Sequence, residues 1–326
     1  MADNFFYPKK FSRDDLISIS INLILPDSIT DFDLYISVAG HFVLYAPPPY
    51  QWAGDELTRL GTDGHAELFY NNVDAKKAKA YLQISRVSKI DESLEPDKRI
   101  NHIMDISAEI TKVLYDHEFS FAAFKKLQEI SDSLIKCIRD DISCVKALGL
   151  LEHHDQYTFY HSGRVCAYGV ALAIKMFNPS KTILDDLALG CLLHDVGKSR
   201  ISLDVINKPG KLTAQEWMQM KKHPKWGVDL MSNVDLNHVT KEIILHHHER
   251  LDGGGYPDGL AGHELLEEVK IAAFADIFDA LTTNKPHSTS KTKYEALDFI
   301  KFTMLDLVSK DVYKAMVELL AIQKKR

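Results

Sequence analysis

The sequence predicts a mainly α protein, in which an all-helical domain follows a small α+β domain, and three observations predict it. Residues 1–84 contain short runs rich in β-branched and aromatic side chains, punctuated by Pro, Gly and Asp, as strands are. From Ile103 onward, apolar residues recur at helical spacing almost to the end of the chain. At 326 residues, the chain is long enough for about two domains of roughly 150 residues each.

In order along the chain, ISISINLIL (Ile17–Leu25), FDLYISV (Phe32–Val38) and HFVLYA (His41–Ala46) read as strands, and Pro47–Pro49 marks a loop. Residues 85–102 are polar and aperiodic and read as a linker. Ile103, Ile106, Ile110, Val113 and Leu114 follow helical spacing, as do Phe121, Phe124, Leu127, Leu134 and Ile138, so residues 103–150 read as connecting helices. These helices could relay a signal, dimerise or simply pack against the second domain. That domain, residues 151–326, is helical in nearly every segment. Thr213-x-x-Glu216 is a capping box that sets the start of one of its helices, and His223 is expected to close that helix.

Composition narrows the function. A net charge of −7 argues against a nucleic-acid polymer as partner, although local cations would suffice for a small phosphorylated ligand. MADNFFYPKKFSRDD lacks the apolar core of a signal peptide, and no stretch approaches the ~20 apolar residues of a membrane span, so a cytoplasmic protein without a membrane partner is expected. Cys137, Cys144, Cys166 and Cys191 make no C-x-x-C pair and read as reduced thiols.

The informative residues are polar side chains on apolar stripes. Leu184, Leu187, Ala188, Cys191 and Leu192 form one helix face, and helical geometry puts His194 and Asp195 on its end. His161 shares a face with Val165, Tyr168, Leu172 and Met176, and Asp276 follows Val269 and Ala272 at helical spacing. In HHHERLDGGGYPDG (His246–Gly259), His247 and His248 each lie four residues past an isoleucine, whereas His246 falls at the stripe's edge and reads as solvated or supporting. Any one of these is more simply a hydrogen-bonded core residue. Several helices directing imidazoles and carboxylates inward is how helical bundles build metal sites. Imidazole and carboxylate without thiolate suit iron, manganese, nickel or zinc. Asp195 could bridge two ions, which at ~4 Å separation clamp the attacking and leaving oxygens of a phosphodiester.

HDVGKSRISLDVINKPGKLTAQEWMQMKKHP, HHHERLDGGGYPDGLAGHEL and AAFADIFDALT resemble the HD-GYP family, a branch of the HD-domain phosphohydrolases that cleave cyclic di-GMP. The resemblance runs from about Tyr157 to Thr283. It implies an HD-type helical fold and two divalent metals, iron first. His161, His194, Asp195 and Asp276 would hold one ion, and Asp195, His223, His247 and His248 the other, with Asp195 as bridge. His246 is left out, because the family's histidine pair directly precedes Glu249-Arg250. Asp195 and Lys198 would be catalytic, with Lys198 on the scissile phosphate. Lys208, Lys211, Arg250, Tyr256 and Lys285 would contact substrate. The glycines Gly253–Gly255 permit a tight loop that presents Tyr256.

The chain departs from the family in two places. Tyr157 stands where many members carry a glutamate that supports a third metal, so two ions are expected. Asn284-Lys285-Pro286-His287-Ser288 replaces Asp-Arg-Pro-Tyr-Arg, removing a tyrosine and an arginine from the expected substrate contacts. Two functions are compatible with these residues: a phosphodiesterase using metal-activated hydroxide, or a weakly active or inactive binding module in cyclic di-GMP signalling. Another HD-type phosphohydrolase acting on a different nucleotide is a third. Residues 1–84 loosely resemble the domain that precedes many HD-GYP modules and would serve regulation or protein partners. A dimer is compatible with the connecting helices.

Overall fold

Side-chain alternation fixes the strands of the N-terminal region. The strands are β1 (Leu16–Ser20), β2 (Ile29–Thr30), β3 (Leu34–Val38), β4 (His41–Ala46), β5 (Tyr50–Gln51) and β6 (Glu67–Asn71). In β6, Leu68 and Tyr70 are buried while Glu67 is exposed, the period of two that a one-sided sheet needs. The structure is a computed structural model that describes residues 15–87, 89–116, 120–148, 157–206, 208, 210–283 and 290–321. Contacts divide the chain into two units, Met1–Val87 with Asp116–Lys126, and Ser88–Tyr115 with Leu127–Arg326.

In the first unit, an antiparallel sheet runs in the order β1-β6-β3-β4, and β2 pairs separately with β5. Helices α1 (Glu56–Thr62) and α2 (Ala75–Ser85) complete it, and Phe32, Leu34, Trp52, Leu68 and Tyr81 form its core. The run from Ile17 to Leu25 is not one strand. The Ser20 side chain accepts a hydrogen bond from Asn22 N and caps a 3-10 turn over Ile21–Leu23, the local competition with a ladder that serine offers.

Helix α3 (Pro96–Asp116) begins inside the polar stretch read as a linker, with Pro96 at its first position, where a missing N–H costs nothing. It is followed by α4 (Phe121–Asp140). The second unit continues with α5 (Tyr157–Phe177), α6 (Lys181–Leu193), α7 (Leu203–Ile206), α8 (Ala214–Met220), α9 (His223–Leu230), α10 (His238–His246), α11 (Glu267–Thr282), α12 (Lys293–Thr303) and α13 (Lys310–Ala321). Every residue of α5 from His161 to Ala173 is buried, as in a helix surrounded by others. It packs on α6, α11 and α13, and α6 packs in turn on α10. The Thr213 capping box forms as its spacing predicts. His223 opens α9 instead of closing α8, because Pro224 suits the first turn of a new helix. The four cysteines are free and buried. Among the described residues no helix is long and apolar enough to cross a membrane.

One glycine controls how the centre closes. A Cβ on Gly197 would lie 2.0 Å from the His223 carbonyl oxygen and 2.6 Å from Gly227 N, so the turn after Asp195 abuts α9 only without a side chain. Gly197→Ala is expected to destabilise the fold by at least about 1–3 kcal/mol, the range for overpacking. Chemical denaturation against the wild type measures this, and an unchanged midpoint would refute the close approach.

Candidate metal centre

Five helices and the turns at their ends deliver the polar side chains. His161 comes from the first turns of α5, His194 and Asp195 from the end of α6, His223 from the start of α9, His247 and His248 from the end of α10, and Asp276 from α11. All are buried apart from His248 and Asp276, which are partly exposed. Two groups of potential ligands form, His161 with His194 and Asp195, and His223 with His247, His248 and Asp195, each with its ligand atoms within 4.8 Å of one another.

The Asp195 carboxylate divides itself between them. Its Oδ2 lies 3.4 Å from His194 Nε2 and 3.8 Å from His161 Nε2. Its Oδ1 lies 3.2 Å from His223 Nε2 and 3.7 Å from His247 Nε2. Asp276 stands outside both groups by that spacing. It reaches His161 Nε2 at 3.0 Å and His248 Nδ1 at 3.8 Å.

The outer nitrogens of the rings fix their tautomers. Nδ1 of His194 meets Cys191 O at 2.7 Å, Nδ1 of His223 meets Met220 O at 2.7 Å, and Nδ1 of His247 meets Ile244 O at 3.0 Å. A carbonyl only accepts, so each Nδ1 carries the hydrogen. Burial pushes His223 below its usual pKa and His247 down to about 4, and burial with the neighbouring His247 holds His248 well below the usual value. In neutral His223 and His247, Nε2 is therefore a lone pair, and these two nitrogens face each other at 3.1 Å. His194 Nε2 and Asp195 Oδ1 are buried without a hydrogen-bond partner.

Burial opposes the charge on Asp195, but Lys198 and the surrounding imidazoles hold its carboxyl well below the usual range. Burial also opposes the charge on Asp276, and the bond and charge of His161 hold it well below. On His161, burial is outweighed by Asp276 and Asp279, which push it up to about 9. Converging lone pairs, ionised carboxylates and orphaned buried acceptors are the chemistry of a divalent-cation site, so the residues present fit a metal.

The remaining expected residues take distinct positions. Lys198 Nζ lies 2.5 Å from Asp195 Oδ2. Tyr256 stacks on His248 with ring centroids 4.7 Å apart, and burial with the charges of Asp195 and Asp276 raises its phenol pKa, so it remains a donor. Arg250 pairs with Asp252 at 2.5 Å. Lys208 is bound by Glu216, its Nζ 2.7 Å from both carboxylate oxygens, and Lys211 is exposed. Lys285 and the rest of Asn284–Ser288 lie outside the described residues, as do Asn207 and Pro209. His246 is buried between Glu242 (3.0 Å) and Asp258 (3.1 Å), away from the cage.

Of the three successive glycines only Gly253 has positive φ (74°). Gly255 serves a close approach, since a Cβ there would lie 2.4 Å from Glu249 Cα. The buried Glu249 carboxylate accepts from the backbone N–H of Asp258 (2.7 Å), Gly259 (2.9 Å) and Leu260 (3.2 Å), which folds the loop back over α10's end.

Three supporting residues escaped sequence reasoning. Asp279 accepts from His161 Nδ1 at 2.7 Å and from Arg164 Nε at 2.6 Å, all three buried. The matched i, i+3 spacings His161/Arg164 and Asp276/Asp279 were the available signal, since residues three apart share a helix face. Tyr115, on α3, donates to the Asp195 carbonyl at 3.0 Å, which nothing in the sequence pattern marks.

Residues 150–306 match the family described as the HD domain, and the chain is an HD-domain protein through that segment. Its motifs resemble those of the HD-GYP family, and the curated proteins it is similar to include cyclic di-GMP phosphodiesterases. It is 34% identical over 172 residues to a cyclic di-GMP phosphodiesterase of Pseudomonas aeruginosa, covering 52% of this chain and 40% of that one. It is 46% identical over 110 residues to the cyclic di-GMP phosphodiesterase response regulator RpfG of Xanthomonas campestris, covering 33% of this chain and 29% of the relative. It is 39% identical over 139 residues to a 3'3'-cGAMP-specific phosphodiesterase of Vibrio cholerae, covering 42% and 26%. The chain thus spans less than half the length of these curated relatives. An HDG"Y"P protein of Bdellovibrio bacteriovorus shares the fold, with a TM-score of 0.60 at 20% identity over 94% of this chain and all of that one.

Asp195→Asn is expected to lower bound metal in both groups, read as metal per chain by mass spectrometry. Manganese at about a hundred times its Kd should stabilise the wild type by ~2.7 kcal/mol and the variant far less, read as thermal shifts. Equal metal content in the two proteins would show that Asp195 is no ligand.

Proposed function

We propose that the chain is a metal-dependent phosphodiesterase that hydrolyses a cyclic dinucleotide, cyclic di-GMP first, to the linear product. The observation that carries this reading is the Asp195 carboxylate with one oxygen toward each group of imidazoles. A pocket of about 300 Å³ opens directly beside His247 and His248. The named activities of the curated relatives support the same chemistry.

His161, His194, Asp195 and Asp276 would hold one ion, and Asp195, His223, His247 and His248 a second, iron first and manganese, nickel or zinc otherwise. Bound divalent ions would supply Lewis-acid charge to the phosphoryl oxygens and activate water for in-line attack. Lys198 would place its ammonium against a phosphate oxygen, exchanging part of its pairing with Asp195 for the substrate. Tyr256, held protonated, would donate a hydrogen bond to the same group. Arg250 and Lys285 remain proposed substrate contacts. Lys208 would have to leave Glu216 to become one, and Lys211 would act from the rim. A cytoplasmic location, a regulatory or partner-binding role for the N-terminal unit and a dimer belong to the same proposal.

The test is incubation of iron- or manganese-loaded protein with cyclic di-GMP and chromatography of the products. Linear dinucleotide is expected from the wild type and none from Asp195→Ala. Lys198→Ala should lower kcat by about 10²–10³, the effect of removing one preorganised charge donor. No product from protein holding two ions would overturn the enzymatic reading.

The substitutions at Asn284–Ser288 favour a second reading, a binding module with little turnover. It predicts dinucleotide binding without product, and a rate that rises in His287→Tyr.

A further inference from the structure

The pocket beside the cage carries an inference about which base the protein accepts, and it rests on the cyclic-dinucleotide reading above. On α11, Lys270, Ala273 and Ile277 line the pocket along one helix face, adjoining Asp276 at the cage. Six residues of helix separate Lys270 from Asp276, a rise of about 9 Å. That is the reach of a nucleoside whose phosphate sits at the cage. A volume of about 300 Å³ stands at the low end for ligand pockets and suits one nucleoside, not two.

The walls discriminate by chemistry. Ile277 and Leu307 offer apolar surface for the faces of a flat ring, and Tyr256 closes the side toward His248. The cationic side chains of the lining, Lys221, Arg250 and Lys270, are donors only, whereas Ser309 can donate or accept. The Lys270 side chain is only 15% exposed and gives one hydrogen bond to Glu267 at 2.6 Å, leaving two of its three N–H groups for a ligand. Arg250 lines the pocket, and its Nε is buried without a hydrogen-bond partner. The one carboxylate in the lining, Glu249, already accepts from three loop amides and cannot read an amine. Guanine presents two acceptors, O6 and N7, on its Hoogsteen edge, whereas adenine places an amine donor there.

We infer that this pocket is a base subsite that takes one guanine of the cyclic dinucleotide, and that Lys270 is the residue that reads it. Adenine keeps N7 as one acceptor but would set its N6 amine against the ammonium, leaving one donor unpaired.

Binding is measured by calorimetry on the metal-loaded chain, with hydrolysis-resistant phosphorothioate analogues of cyclic di-GMP and cyclic di-AMP. The wild type is expected to prefer the guanine analogue by about tenfold or more, the discrimination of one good base contact. Lys270→Met should bring the two affinities within about threefold, while Glu267→Gln, which removes only the ion pair, should leave the preference unchanged. Leu307→Trp, which fills the pocket, should abolish binding of both analogues with metal content unaltered. A full preference in Lys270→Met, or intact binding in Leu307→Trp, overturns the subsite. If neither analogue binds the loaded wild type, the cyclic-dinucleotide reading falls with it. Lys270-dependent guanine preference without hydrolysis of cyclic di-GMP upholds the subsite and removes only the enzymatic reading.

Discussion

Asp195 is an ionised carboxylate that water barely reaches, with imidazoles on both of its oxygens and an ammonium against one. Leaving a charge of this kind unpaired in a protein interior costs several kcal/mol, so the surrounding helices must end where partners can be delivered. Helix α6 stops at Leu193 to present His194 and Asp195, α9 starts at His223, and α10 stops at His246 to present the next two histidines. Gly197 lets the turn after Asp195 press on α9, and Tyr115 grips the Asp195 carbonyl from α3. The packing of the second unit and the geometry of its centre are one problem with one solution.

Held this way, the imidazoles cannot satisfy each other. The Nδ1 hydrogens of His194, His223 and His247 are committed to carbonyl oxygens and that of His161 to Asp279, so the inner nitrogens of neutral His223 and His247 meet as acceptors. Such outer bonds commonly orient metal-binding histidines and raise their basicity. The Arg164–Asp279 pair extends this support one layer outward, with two guanidinium contacts at 2.6 and 3.1 Å. A purely structural core would be better served by leucines, since replacing buried ionic groups with apolar ones is often neutral or stabilising. The acceptor-rich interior makes physical sense as a cation site.

How far the sequence disclosed this depends on how each feature is encoded. Ligands that interrupt an apolar stripe announce themselves, because helical periodicity predicts a hydrophobic residue at His161, His194 or Asp276 and finds a polar one. Helix starts with a side-chain signature, such as Thr213 with Glu216, were equally legible. Pairings made across the fold were not. Lys208, read as a substrate contact, is paired with Glu216, and Arg250 is partly committed to Asp252. Glu249 looked like part of a motif, and its task of gathering three loop amides depends on a chain reversal that periodicity does not describe. The glycine run reads as freedom for a tight loop, whereas Gly255 is required for contact with Glu249, a distance between residues and not a property of either.

These differences separate the centre into two kinds of construction. Most of the cage is drawn from helix ends, where carbonyl oxygens hold the His194, His223 and His247 rings and Asp279 holds His161, the kind of support cation coordination demands. The pocket beside it is drawn partly from α11 and partly from the glycine loop and the residues before α13, whose conformations rest on a few contacts such as Glu249 to the loop amides. Substitutions in those segments can reshape the ligand space without moving His223, His247 or Asp195. The departures at Asn284–Ser288 fall directly after α11 and spare the cage residues, so retention of the cage does not by itself imply retention of turnover. Metal binding and turnover are therefore separate questions for this chain, and a complete cage is compatible with either the enzymatic or the binding reading.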